Sequence, residues 1–153
     1  MRFLFGLLVT LVTFGNLAAQ NSTVRIANFN INKSKVAISG YDPVAYFTQN
    51  KAVPGKSNMA VVYDGILYYF SSATNQAAFK ANPTKYEPQY GGWCAYAMGD
   101  NGSKVEIDPG TFKIVNGKLY LFYNKYLTNT LNSWNKDEKA LLPKADKNWQ
   151  KIK

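Results

Sequence analysis

The chain has 153 residues, with 18 Lys and Arg against nine Asp and Glu, one cysteine and no histidine. Without histidine, Ser-His-Asp and Cys-His mechanisms are excluded, and the commonest general base and metal ligand is missing. A single cysteine makes no internal disulfide, and a net charge of +9 suits anionic surfaces as partners.

Met1-Arg2 is a short positive lead, Phe3 to Phe14 is an apolar run, and Asn16 to Ala19 is small and polar. This is the pattern of a secretory signal peptide over 1–19, cleaved after Ala19. The run falls short of the ~20 residues of a membrane span, so the mature chain is expected to carry no transmembrane segment. Export places the protein in the periplasm or outside the cell. Nucleic acid is then excluded as a partner, and an anionic envelope surface is favoured. Lysines recur from Lys33 to Lys153 without a dense block, as a solvated surface would have them.

Residues 20–35 are polar and asparagine-rich and read as a loose lead-in; 36–153 read as one domain. Val36 to Ile38 is a short strand ended by Gly40. Asp42-Pro43 starts a helix through Phe47, because Asp caps free N–H groups and Pro suits the first helical position. Ala60 to Tyr63 and Ile66 to Phe70 form a hairpin around Asp64-Gly65. Ser71-Ser72 caps a helix bearing Ala77, Ala78 and Phe79, which Asn82-Pro83 stops.

A second unit follows the same plan. Ile114 to Phe122 repeats Val62 to Phe70, with a shared G-x-L-Y-x-F and Asn116-Gly117 in place of Asp64-Gly65. A helix over about 124–134 follows. Neither unit buries its apolar face alone, so the expected fold class is α+β: two hairpin-plus-helix units in one small domain. Two short C-terminal helices are expected, from Asp137 to Leu142 and from Asp146 to Ile152, broken at Pro143.

The blocks "SGYDPVAYF", "YYFSS", "NPTKY", "PQYGGWCAYAM", "FKIVNGKLYLFYN" and "AD.NW" occur in the order found in exported YHS-domain proteins, which the chain resembles from about Val36 to Trp149. The family's Tyr-His-Ser triplet stands here as Tyr69-Phe70-Ser71. The resemblance implies a small α+β domain related to cysteine-rich, treble-clef-like metal modules with the pattern D-P-x-C and Y-F-C-S-x-x-C. Those cysteine positions fall at Ala45, Ser71 and Asn75, so all three thiolates are absent. Zinc or copper in such a site needs soft or imidazole ligands, and metal binding of that kind is not carried over.

The one cysteine lies in "QYGGWCAYAMG". The two alanines and the closing Gly99 predict a short helix with Cys94 in its first turn, where free N–H groups stabilise a thiolate. Tyr90, Trp93, Cys94 and Tyr96 are the candidate ligand-binding residues. Cys94 and Met98, one helical turn apart, are a soft pair suited to copper as Cu(I). Against both stands the tendency of free Cys to be a small buried residue. Asp42 and Asp108, each before Pro, read as caps or turn formers.

The function this supports is an exported, non-enzymatic binding module for a metal ion or small ligand near GGWCAYAM. The alternatives are a thiol redox protein acting through Cys94, and a structural or interaction protein of the cell envelope.

Overall fold

The computed structural model of the chain describes residues 15–153, with side chains from Asn21 onward. The expected signal peptide lies almost wholly outside the described residues. Among these, no helix is long and apolar enough to cross a membrane.

The polar lead-in is not loose throughout. Its first part belongs to helix α1 (Gly15–Asn28). Tertiary contacts override its weak amphipathicity. Ile26 and Phe29 pack on the core, and Arg25 forms an ion pair with Glu87. Beyond the helix, the Asn32 carboxamide accepts from the Ser34 and Val36 amides at 2.9 and 3.0 Å, turning the chain towards the body.

A tight turn at Ile38–Gly40 leads to the short helix α2 (Ala45–Thr48). Strands β1 (Lys56–Tyr63) and β2 (Ile66–Phe70) follow as an antiparallel hairpin. Helix α3 (Ala73–Ala81) is capped by Ser72, whose hydroxyl accepts from the Asn75 amide at 3.1 Å. Asn82 ends α3 and caps α4 (Pro83–Tyr86), with Pro83 at its first position. A second tight turn, Gln89–Gly92, precedes α5 (Ala95–Asp100). Strands β3 (Asp108–Val115) and β4 (Lys118–Phe122) make the second hairpin.

The repeat read in the sequence is a repeat of geometry. Lys56 pairs with Phe70 and Ala60 with Tyr69, across a bulge; Asp108 pairs with Phe122 and Phe112 with Leu121, across the same bulge 52 residues on. Each hairpin also receives a parallel bridge from the segment before it, Val36 to Leu67 and Pro88 to Leu119, again 52 residues apart.

After β4 the expected helix over 124–134 is delayed. A small hairpin, β5 (Asn124–Lys125) and β6 (Thr128–Asn129), comes first, and α6 covers Thr130–Lys136. Asn129 caps α6 through the Leu131 amide at 3.0 Å, which fixes the later start. The two helices expected over 137–152 run as one, α7 (Glu138–Gln150), straight through Pro143. Proline inside a helix costs about 3 kcal/mol. Burial of Leu141, Ala145 and Trp149 on one face offsets it. Gly99, expected as a helix stop, lies inside α5 at its contact with α7: a Cβ there would sit 2.7 Å from the Leu141 carbonyl.

The hairpins share one body with two apolar clusters. Leu119 and Leu121 join Ile66, Tyr68, Phe70 and Phe79 in the first cluster. Tyr120 and Phe122 join Met98, Trp134 and Trp149 in the second. Alternate side chains of β4 point to opposite faces, so this strand is the partition between the clusters.

Candidate functional site

The segment around Cys94 repeats the segment around Asp42, and the 52-residue shift holds atom by atom. Ile38, Ser39 and Gly40 have φ of 51°, 52° and 85°; Tyr90, Gly91 and Gly92 have 55°, 60° and 86°. The Tyr41 amide donates to the Ile38 carbonyl, and the Trp93 amide to that of Tyr90. The Asp42 amide donates to Val53, and the Cys94 amide to Val105. The Ser71 amide donates to Asp42 Oδ2 at 2.8 Å, and the Tyr123 amide to Cys94 Sγ at 3.4 Å. Cys94 therefore stands in the second unit where Asp42 stands in the first.

Both side chains are fully buried hydrogen-bond hubs. Asp42 Oδ1 caps α2 by accepting from the Val44 and Ala45 amides at 2.9 and 3.3 Å. Its Oδ2 accepts from the Ser71 amide and hydroxyl, the latter at 2.6 Å, and from Asn75 Nδ2 at 2.7 Å. Around Cys94 the circuit is smaller. The Thr130 hydroxyl donates to the Tyr123 carbonyl at 3.0 Å. Its proton is thereby committed, so in the 3.3 Å contact with Cys94 Sγ the thiol is the donor. The sulfur accepts from one amide and gives to one hydroxyl, closed off from solvent.

The structure gathers only part of the candidate set at an opening. Tyr90 lines a surface groove. Trp93 is half-buried and ties α5's entry to α1 by donating from Nε1 to the Asn28 carbonyl at 2.7 Å. Tyr96 is half-buried and packs against both clusters. Cys94 lies in the first cluster and Met98 in the second, each without exposure, so this soft pair shares no opening. Among the described residues no three His, Cys, Asp or Glu side chains converge as a metal site would need.

The groove, about 600 Å³, lies between α1, the turn at 87–91 and α7. Its polar wall is built on Glu87. Arg25 Nη2 and Nη1 donate to Glu87 at 2.5 and 3.5 Å, and the Tyr68 hydroxyl donates to the same carboxylate. Burial works against the Arg25 charge, but the hydrogen bonds and charge of Glu87 outweigh it and raise its pKa. Burial, then the charge and hydrogen bond of Glu87, pushes the Tyr68 hydroxyl well above its ordinary pKa. Arg25 also lies over the Phe29 ring at 4.3 Å, and its Nε is buried without a partner.

On the opposite wall the Tyr90 hydroxyl donates to Asp146 at 3.0 Å. Burial, then the charge and hydrogen bond of Asp146, pushes Tyr90 up, and burial with the same carboxylate pushes Tyr120 up to about 12. Gly91 forms the floor. A Cβ there would lie 2.8 Å from both Phe29 and Trp149, and its φ of 60° suits glycine. The equivalent turn of the first unit borders a far smaller depression, about 140 Å³, lined in part by Val36 and Ser39. Arg25 and Trp149 are not among the sequence candidates, and Glu87 is there only one of four carboxylates, with Asp42, Glu106 and Asp108, that no spacing pairs. The signal for Trp149 and Asp146 was the "AD.NW" block; for Arg25, inside a polar stretch, there was none.

A family model described as YHS domain matches residues 44–90. The chain is a YHS-domain-containing protein. The match begins just before α2 and ends at Tyr90, and so takes in the first hairpin, α3, α4 and five lining residues of the groove, Thr84 and Glu87 to Tyr90. No curated protein matches the chain, and no solved structure does.

A metal is what kinship with the cysteine-rich YHS modules implies, and the residues present do not fit one. The three positions where those modules place cysteines do come together in space. Ser71 and Asn75 converge, with the amide of Ala45, on the Asp42 carboxylate. They face it as hydrogen-bond donors, however, and offer no soft ligand. The carboxylate, which stands just ahead of the matched segment, holds its five donors at the centre of the first unit.

Proposed function

We propose that this YHS-domain protein is an exported, non-enzymatic binding module, and that its ligand site is the groove between α1, the 87–91 turn and α7. The observation that carries this reading is the groove's construction. It has a volume in the range of small-molecule sites, a polar wall held by the Arg25–Glu87–Tyr68 cluster, a second by Tyr90–Asp146, and a floor of Gly91, Phe29 and Trp149. The backbone at Tyr90 is held at φ 55°, a conformation that costs a non-glycine residue on the order of 1–3 kcal/mol and tends to be retained at binding sites.

The lining selects a ligand class. Asn21, Asn28, Gln89 and Gln150 supply amide donors and acceptors, and Lys118 and Lys153 supply positive charge beyond the paired Glu87 and Asp146. Phe29 and Trp149 supply ring edges. A small polar molecule with many hydrogen-bonding groups and one apolar face, such as a sugar or a ring-bearing acid, matches that pattern. Export rests on the leader pattern of 1–19. Cys94 contributes a buried hydrogen-bond junction rather than redox chemistry, because its thiol is enclosed and engaged on both sides.

The test is an amide and indole NMR screen of the mature chain against small sugars and aromatic acids. Shifts concentrated at Gly91, Arg25 Nε and the Trp149 indole are expected. Shifts centred on Trp93 and Tyr96 with a silent groove would contradict the assignment.

A further inference from the structure

The chain makes three hairpins whose two central residues both have positive φ: Asp64-Gly65 (45°, 83°), Asn116-Gly117 (51°, 71°) and Tyr126-Leu127 (50°, 66°). The first two pairs are the residues that such turns prefer. Tyr and Leu are not, and a bulky side chain in this region is strained. The same two residues are the most exposed large hydrophobics among those described, Tyr126 at 90% and Leu127 at 108%. The third hairpin is thus built with unfavourable turn chemistry in order to hold two apolar side chains clear of the body. It is also an addition to the repeat. In the first unit β2 passes through Ser71-Ser72 straight into α3, whereas in the second β5, the apex and β6 intervene before α6.

The sequence that carries this apex holds charge of one sign, although Lys113 is paired with Glu138 and Lys118 lies at the groove. From residue 109 to 136 there is no Asp or Glu, while Lys113, Lys118, Lys125 and Lys136 fall in the same stretch. Lys125 is next to the apex. A protruding tip offers too little area for a stable protein interface, which takes about 800 Å² from each partner. Insertion into a lipid surface needs depth instead. Tyr suits the headgroup level, Leu the acyl boundary beneath it, and Lys the anionic headgroups.

We propose that the β5–β6 apex docks this protein on an anionic lipid surface, with Tyr126 and Leu127 inserted and Lys125 against the headgroups. This inference is independent of the groove. The test is flotation of the mature chain, without the leader of 1–19, with phosphatidylcholine vesicles, with and without phosphatidylglycerol, at low and high salt.

Binding to the phosphatidylglycerol vesicles is expected, weakened by salt and nearly absent on phosphatidylcholine alone. Y126N/L127G, which installs the dipeptide of the second hairpin, is expected to lower partitioning about tenfold. It should at the same time melt at or above the parent temperature, since it relieves the turn. K125A should lower partitioning about fivefold. Parent-like binding by Y126N/L127G overturns the proposal, as does no binding by the parent. Apex-dependent self-association without vesicle binding also overturns it, in favour of a protein interface.

Discussion

The two units of this molecule share a backbone and differ in what they put at its centre. In the first, Asp42 gathers five donors and holds α2, the end of β2 and α3 together. In the second, Cys94 occupies the same place, gathers one donor and gives to one acceptor, and leaves α5 without a side-chain cap. The second unit compensates with apolar packing: Trp134 is fully buried, and its indole and Lys113 both donate to Glu138. The difference teaches that one frame can be centred on charge or on packing. It also shows that the groove belongs to the second unit's turn, because α1 and α7 both flank Gly91.

The contrast can be broken most forcefully at Asp42. D42A strands several buried donors at once, and a loss of more than about 3 kcal/mol is expected. Urea unfolding reads it as a lower midpoint at unchanged slope. A loss under about 1 kcal/mol would mean that the carboxylate is not the centre of its unit.

Alkaline pH sharpens the contrast next. Tyr46 and Tyr68 in the first unit and Tyr90 in the second are held above the ordinary tyrosine pKa, in each case chiefly by burial. Their folded pKa values exceed the unfolded value near 10, so their contribution is complete below pH 10 and is lost as pH rises beyond it. Each contributes a slope of about 1.4 kcal/mol per pH unit. Tyr120 and Tyr63, also raised, add slopes that every variant keeps, so two slopes should vanish in Y46F/Y68F and one in Y90F, read by denaturant midpoints between pH 9 and 12. A midpoint flat to pH 12 in the parent would contradict the burial.

The smallest effect separates a hub from filler at position 94. C94S keeps an acceptor for the Tyr123 amide and a donor for Thr130, whereas C94A keeps neither. C94S should be the more stable by about 1 kcal/mol. Equal stability, or C94A the more stable, would make Cys94 an apolar packing residue.

Much of the fold was legible in the sequence. Asp64-Gly65 and Asn116-Gly117 announced two hairpins, Ser72 announced a cap, Asn82-Pro83 announced a helix stop, and the shared G-x-L-Y-x-F announced the repeat. Elements that break local rules were not legible. Pro143 stops a helix by its own chemistry, and only the face made by Leu141, Ala145 and Trp149 carries α7 past it. Tyr126-Leu127 is no turn signal, so β5–β6 read as helix. The groove was hidden for a different reason. Arg25 and Glu87 lie 62 residues apart and Tyr90 and Asp146 lie 56 apart, and periodicity says nothing about such pairs. The cysteine centred the candidate set on residues 90–98, and of that set only Tyr90 borders the groove.

The central claim is that ligand binding lies at Gly91 and not at Cys94. The direct measurement is native mass spectrometry of the chain purified from the exported fraction of its own cells, as parent, C94S and Q150W. Gln150 is exposed at the groove's edge, so a tryptophan there blocks the groove without disturbing the core. The account predicts a bound small molecule that persists in C94S and is lost in Q150W. An adduct that disappears in C94S and survives in Q150W would contradict it.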